Sequence, residues 1–143
     1  MTKKTLDCIF CKIIKGEIPS FKVFENDKVF CFLDINPLTK GHALVVPKKH
    51  AEDVFDVPED DLREIISVAK NLSEKMKKAW GVEGVNIINS SGEVAGQDVF
   101  HIHFHIIPRR VNDNLEISKW WRSKTEKADP EELKQLAEKL RNI

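Results

Sequence analysis

The chain has 143 residues, enough for one domain with its own hydrophobic core. Its 23 Lys and Arg residues balance 23 Asp and Glu residues, so no net charge favours nucleic acid or a membrane surface as a partner. No apolar run approaches the roughly 20 residues that span a bilayer, and no apolar leader precedes Asp7. We therefore expect one domain over residues 1–143, located in the cytoplasm, with no membrane or nucleic-acid partner.

The pattern of apolar residues predicts several strands around two helices. A short helical turn is expected at residues 8–15, before Gly16. Strands are predicted at 21–24, 29–33, 43–46, 84–89 and 100–108. Hairpin strands first, then a helix and further strands, are typical of an α+β domain with a mainly antiparallel sheet.

A long helix is predicted between Pro58 and Gly81, because one face carries apolar residues at 3.6-residue spacing. These residues are Leu62, Ile65, Ile66, Ala69, Leu72, Met76 and Ala79. Residues 109–128 show no clear period. Asp129 and Pro130 then predict the start of a C-terminal helix, with Leu133, Leu136, Ala137 and Leu140 on one face.

Three of the five histidines alternate with apolar residues near the end of the chain. Side chains alternate between the faces of a strand, so His101, His103 and His105 are expected on one face. Ile102, Phe104 and Ile106 are then expected on the other face, in the core. A single histidine is most often a polar bystander, but three in strict alternation favour a chemical site.

Two kinds of chemistry fit this row of histidines. Three consecutive members span about 13 Å and cannot all reach one zinc ion, although two of them with a ligand from elsewhere can. Alternatively, a neutral imidazole attacks phosphorus and forms a phosphoramidate, which water then opens, while a neighbouring histidine protonates the leaving group.

The row, His101-Ile-His103-Phe-His105-Ile-Ile, resembles the signature of the histidine triad (HIT) family of nucleotide hydrolases and transferases. Further similar segments occur in the family's order over roughly residues 8–110, leaving 111–143 as a C-terminal extension. They are Ile9–Ile14, Phe32–Pro37, Gly41-His42, Val46–His50 and Gly96-Gln97. The chain is most similar to the Hint-like branch of phosphoramidases, in its microbial form with Cys8-x-x-Cys11.

The resemblance implies roles for individual residues. His103 would be the nucleophile, and His105 and His42 would support the phosphate and the leaving group, without a catalytic metal. Asp34 would bind the ribose hydroxyls of a purine nucleotide such as AMP, and Asn89 and Gln97 would hold the phosphate. An apolar pocket for the base would be formed by Ile9, Phe10, Ile13, Phe32 and Ile35.

Asp98 departs from the family pattern, in which Ser or Thr often follows the Gln as a hydroxyl donor. An ionised carboxylate cannot donate a hydrogen bond and repels a phosphate. Asp98 is therefore expected either to point away from the phosphate or to change the preference for the leaving group.

The Cys8-x-x-Cys11 pair is compatible with a zinc site or a redox pair, but the βαβ context of the redox pair is absent. The family resemblance offers His50 and His101 as two further ligands, which implies a structural Cys2His2 zinc site. It also implies a homodimer, with Trp120 or Trp121 near the shared surface.

Three functions follow from the resemblance. The leading hypothesis is a Hint-like phosphoramidase or nucleotide hydrolase that forms a covalent nucleotidyl-histidine. A dinucleoside polyphosphate hydrolase of the Fhit-like branch is the second. A nucleotide-binding regulatory module with negligible turnover is the third.

Overall fold

The computed structural model describes residues 3–143, in which five strands form one antiparallel sheet in the order β1-β2-β3-β5-β4. The strands are β1 (Lys22–Glu25), β2 (Val29–Leu33), β3 (Ala43–Pro47), β4 (Gly84–Ile88) and β5 (Phe104–Arg109). The helices are α1 (Lys3–Leu6), α2 (Ile9–Ile14), α3 (Glu59–Trp80), α4 (Ile117–Lys124) and α5 (Pro130–Arg141), with a 3₁₀ turn at Glu93–Ala95. The predicted α+β class is confirmed.

Helix α3 ends as its sequence predicts, and its buried face differs from the prediction at its margins. Gly81 adopts the left-handed conformation with φ of 64°, which places its N–H on the carbonyl of Lys77. Ile66 is 46% exposed and Val68 only 5%, so the buried stripe is centred closer to Val68 than expected. Ala79 is also exposed.

The sheet buries a different apolar cluster on each face. One cluster includes Ile65, Val68, Ala69, Leu72 and Met76 of α3 together with Ile102, Phe104 and Ile106. The other joins residues of α2 to side chains of β2 and β3, and it includes Phe10, Ile13, Phe32 and Leu44. Full burial of each large apolar side chain contributes about 1.5–3 kcal/mol. The expected division of residues 101–106 between core and histidine face is therefore confirmed for Ile102, Phe104 and Ile106.

The strand predicted from Phe100 begins only at Phe104, so this boundary was wrong. The pairing between β3 and β5 runs from Ala43 with Ile106 to Val45 with Phe104. Before that point the Ile102 N–H donates to the carbonyl of Ala51 at 2.8 Å, which takes the backbone out of the ladder. His101 and His103 thus lie in a bent segment at the entrance to β5.

The chain divides into two compact units, one ending at Asp113 and the other comprising Asn114–Ile143. In the second unit, α5 begins as predicted, with the Asp129 carboxylate accepting from the Glu132 N–H. Helix α4 lies in a segment where no helix was predicted, because its two turns carry only Ile117, Trp120 and Trp121 as a periodic signal. Within the part of the chain described, no helix is long and apolar enough to cross a membrane.

Candidate active site and metal centre

His103 is held in one tautomer by the backbone beside it. Its Nδ1 lies 2.9 Å from the carbonyl oxygen of His101, and a carbonyl can only accept, so Nδ1 carries the proton. The lone pair of the neutral ring is therefore on Nε2. The side chain is 5% exposed and lies edge-on to the Phe10 ring, with centroids 5.2 Å apart. This arrangement leaves one nucleophilic nitrogen in a fixed orientation.

A chain of hydrogen bonds sets the tautomers of His42 and His105. The Leu38 N–H donates to His42 Nδ1 at 3.0 Å, so the proton of the neutral His42 ring is on Nε2. That nitrogen lies 2.9 Å from His105 Nδ1 and donates to it. The proton of His105 is consequently on Nε2.

Burial keeps both rings of this pair neutral. It lowers the pKa of His42, and it lowers the pKa of His105 to about 4, with smaller contributions from the neighbouring His103 and His42. The rings of His103 and His105 are 5.0 Å apart between centroids. A nucleophilic nitrogen and an N–H donor thus lie side by side.

A cavity of about 270 Å³ lies beside these histidines, where the nucleoside pocket is predicted. Its lining contains the residues expected to form the base pocket, together with Asp34, Asp98 and two of the three catalytic candidates. These residues are Ile9, Phe10, Ile13, Phe32, Ile35, His103 and His105. Phe10, Ile13 and Phe32 are buried, whereas Ile35 is 76% exposed at the rim. The lining is mainly apolar and also includes carboxylates and imidazoles.

Asp34 lies between the pocket and the histidine pair. Its Oδ1 accepts from the Asn36 N–H at 2.8 Å, and its Oδ2 is 3.8 Å from His42 Nε2. The carboxylate is therefore positioned by its own loop and retains acceptor capacity toward the cavity.

The amides of Asn89 and Gln97 contact the backbone of the site. Asn89 Nδ2 donates to the carbonyl of His103 at 3.0 Å. The buried Gln97 donates to the carbonyls of Glu52 and Val99 and accepts from the Gly92 N–H. In this conformation both side chains form hydrogen bonds to backbone groups. Their contact with a phosphate stays a prediction.

Asp98 points toward His103, the candidate nucleophile. Its Oδ1 is 3.8 Å from His103 Nε2 and accepts from its neighbour Val99 N–H at 2.9 Å. Its side chain is 85% exposed, so the carboxylate is hydrated. The sequence left two alternatives for Asp98, and the structure does not have the one in which the side chain points away from the site.

A second cluster lies at the other end of the histidine row. The donor atoms of Cys8, Cys11, His50 and His101 all lie within 4.8 Å of one another. Cys8 Sγ and Cys11 Sγ are 3.4 and 3.5 Å from His101 Nδ1, and the two histidine Nδ1 atoms are 3.2 Å apart. Zn–S bonds of about 2.3 Å and Zn–N bonds of about 2.0–2.1 Å place neighbouring tetrahedral ligands about 3.3–3.8 Å apart.

The protonation of this cluster also fits a metal centre. His101 Nε2 donates to the carbonyl of Pro47 at 2.8 Å, which leaves the lone pair on Nδ1, the atom that faces the cysteines. Burial lowers the pKa of His101 to about 4, so the ring is neutral, as a ligand must be. Burial raises the pKa of Cys11 to about 12 in the absence of a cation, and a bound divalent ion would reverse this. The donor set therefore fits a metal ion.

Several groups that shape the site were missed from sequence. The Leu38 N–H and the Pro47 carbonyl fix ring tautomers, but backbone groups have no signal in sequence. Thr39 is buried and donates through Oγ1 to the carbonyl of Pro108 at 2.7 Å, fastening the loop of His42 to β5. Its position between Pro37 and Gly41 indicated a loop but not this contact.

The fold and this site define an α+β protein whose candidate reactive groups are imidazoles at the start of an antiparallel strand. Comparison with known proteins agrees with this class. The HIT domain family model matches residues 15–112. The uncharacterized HIT-like protein MJ0866 of Methanocaldococcus jannaschii is 56% identical over 106 residues, covering 74% of this chain and 81% of that protein.

Two further relatives bear on the site. Adenosine 5'-monophosphoramidase HNT1 of Saccharomyces cerevisiae is 44% identical over 118 residues, covering 81% of this chain and 72% of the yeast protein. The crystal structure of a Zn-bound histidine triad family protein from Mycobacterium smegmatis superimposes with a TM-score of 0.76 at 35% identity, covering 79% of this chain and 82% of that one. The chain belongs to the HIT family, and the resemblance to its Hint-like branch is confirmed.

Proposed function

We propose that this protein hydrolyses nucleoside 5′-monophosphate derivatives, with AMP-type phosphoramidates as the substrate class, through a nucleotidyl-His103 intermediate. The observation that carries the proposal is the 2.9 Å bond from His103 Nδ1 to the carbonyl of His101, because it leaves the Nε2 lone pair free to attack. The activity named for the yeast relative supports the same substrate class.

The reaction proceeds in two displacements at phosphorus. In the first, His103 Nε2 forms a bond to phosphorus while the P–N bond to the amine breaks. Before this step the neutral His42–His105 pair takes up one proton from solvent. The electron pair leaves on the amine nitrogen, which takes one proton from His105 Nε2, so that both rings are neutral again. In the second, water attacks phosphorus, the bond to His103 breaks, and the proton lost by water returns to the His42–His105 pair. The products are a nucleoside 5′-monophosphate and a free amine.

The remaining residues bind and orient the substrate. The apolar walls around Phe10, Ile13 and Phe32 accept a purine base, and the Asp34 carboxylate accepts hydrogen bonds from the ribose hydroxyls. The His103 and His105 side chains line the same cavity, which supports binding of the reacting phosphorus beside them. Positioning of this kind contributes a large share of the rate of phosphoryl transfer.

We further propose that the cluster of Cys8, Cys11, His50 and His101 holds a structural zinc ion. Its support is the spacing of the donor atoms and the neutral, correctly oriented His101 ring. With four protein ligands it has no open position, so its contribution is to fix the segment before β5. The protein would act as a homodimer in the cytoplasm.

The test is a paired assay with adenosine 5′-phosphoramidate and diadenosine tetraphosphate. Faster turnover of the phosphoramidate, abolished by His103→Ala, is the expected result. Preference for the dinucleotide would favour a polyphosphate hydrolase. Binding of AMP without turnover of either compound would favour a regulatory module, and both outcomes contradict the proposal.

A further inference from the structure

Asp98 places a hydrated carboxylate next to the attacking nitrogen. Its Oδ1 is 3.8 Å from His103 Nε2, and the bond from the Val99 N–H to the same oxygen holds the side chain in this direction. A phosphoryl group bonded to Nε2 would therefore lie close to a negative charge. Neither displacement step requires a carboxylate at this position. We therefore expect the charge of Asp98 to act electrostatically on the groups attached to phosphorus.

The nucleoside cavity adjoins a second cavity at this point. The second cavity has a volume of about 360 Å³ and shares Ile9, Asp98 and Val99 with the first. Its own lining adds Asp7, Cys8, Glu52 and Phe100, and among the residues whose side chains the structure describes it includes no lysine or arginine. With the nucleoside in the first cavity, the second is the adjoining space into which a leaving group can extend from phosphorus.

The leaving group departs roughly in line with the attacking nitrogen, away from His103. Its first atom then lies about 4–5 Å from His103 Nε2, a distance compatible with direct contact to the Asp98 carboxylate. At a separation of about 6 Å in a water-like dielectric, a unit charge on the leaving group changes the rate constant by about threefold, up for a cation and down for an anion.

We propose that Asp98 determines the specificity for the leaving group, favouring amines that carry a positive charge over those that carry a negative charge. This inference rests on the proposed function, because it requires the substrate phosphorus at His103. It assigns the second cavity to the leaving amine and gives the substrate class as nucleotide phosphoramidates of cationic amines, such as diamines.

The test uses three adenosine 5′-phosphoramidates whose amines have equal length. They are made from 1,3-diaminopropane, butylamine and β-alanine, which place an ammonium nitrogen, a methyl carbon and the carboxylate oxygens the same number of bonds from phosphorus. The ratio of kcat/KM for the diamine to that for β-alanine is measured in wild type, Asp98→Asn and Asp98→Ser. Glu93→Gln is the matched control, because it removes one exposed carboxylate from the same loop outside both cavities.

We expect the ratio to fall about tenfold in Asp98→Asn and Asp98→Ser and to stay at the wild-type value in Glu93→Gln. In wild type, raising the salt concentration from 0.01 to 1 M should reduce the ratio, because the screening length falls from about 30 to about 3 Å. An equal ratio in wild type and both Asp98 variants, with normal turnover of the butylamine compound, would overturn the inference alone. No turnover of any compound by wild type would instead overturn the proposed function.

Discussion

The Nδ1 of His103 donates to the carbonyl oxygen of His101 at 2.9 Å, so one residue of the candidate metal cluster fixes the tautomer of the candidate nucleophile. The side chain of His101 faces Cys8 and Cys11, while its backbone carbonyl contacts the candidate nucleophile. The two candidate sites are therefore joined through a single residue, His101.

Zinc binding should stabilise the fold. We expect one zinc ion per chain, and free zinc at about 100 times its dissociation constant should stabilise the protein by about 2.7 kcal/mol. For a chain of this size, that corresponds to a loss of about 5–10 °C in Tm on chelation. Metal analysis and thermal unfolding with and without a chelator measure both quantities.

The matched variants for the zinc prediction are Cys8→Ser and Cys31→Ala. Cys31 is buried in the core on the α3 side of the sheet and lies outside the metal cluster. Cys8→Ser should lose both the zinc and the chelator effect, whereas Cys31→Ala should keep one zinc per chain. Equal zinc content in the two variants would contradict the ligand assignment.

The neutral His105 ring should make stability depend on pH. Its pKa is about 4 in the folded state against 6.5 for an ordinary histidine, so between these values the unfolded state binds more protons. The stability is fully present above pH 6.5 and is lost as pH falls toward 4, with a slope of up to about 1.4 kcal/mol per pH unit.

Chemical denaturation of wild type and His105→Gln between pH 4 and 8 tests this dependence. Removal of the titrating ring should make the slope between pH 6.5 and 4 shallower while leaving the dependence above pH 7 unchanged. A steeper or equal slope in His105→Gln would show that His105 is not the buried neutral group.

Asp34 should discriminate ribose from deoxyribose. Hydrogen bonds to a charged group contribute about 1.5–3 kcal/mol, so 2′,3′-dideoxy-AMP should bind about tenfold to a hundredfold more weakly than AMP. Titration calorimetry should find this difference in wild type and its near loss in Asp34→Ala. Asp27→Asn removes an exposed charge in the β1–β2 turn and should retain the full difference. Retention of the difference in Asp34→Ala would exclude the ribose contact.

The proposed homodimer has a test in the second compact unit. Trp120 and Trp121 are 60% and 62% exposed in the single chain, with ring centroids 6.4 Å apart. Aromatic side chains of this kind are enriched at interfaces. Sedimentation at micromolar concentration should show a dimer, and replacement of both tryptophans by alanine should shift it toward monomer. A monomeric wild-type protein would contradict the proposal.

Much of this structure followed from periodicity, and the remainder depended on contacts distant in sequence. Alternation correctly placed Ile102, Phe104 and Ile106 in the core beneath α3. It could not show that the backbone leaves the ladder before Phe104, because this depends on the Ala51 carbonyl accepting from the Ile102 N–H. The buried face of α3 differs from the predicted face at Ile66 and Val68. The 3.6-residue spacing of apolar residues does not show which of these two residues, at the margin of the apolar face, is buried.

The site shows the same division. The spacing of the histidines indicated a site built from imidazoles. The family resemblance indicated Asp34 and the apolar pocket residues, which line one cavity in the structure. The protonation states depend instead on the Leu38 N–H and on the carbonyl of Pro47, which have no signature in sequence. The direction of Asp98 was likewise undetermined until the loop conformation was known.

The covalent role of His103 is the central claim, and intact-mass spectrometry after mixing with a slowly hydrolysed adenylate donor tests it most directly. We predict one adenylate adduct per chain, mapped to His103 and absent in His103→Ala. The adduct should be lost by hydrolysis on the timescale of turnover. An adduct that still forms in His103→Ala would contradict the account. So would a rapid-quench experiment in which the wild-type protein turns over substrate but no adduct is detected at any time.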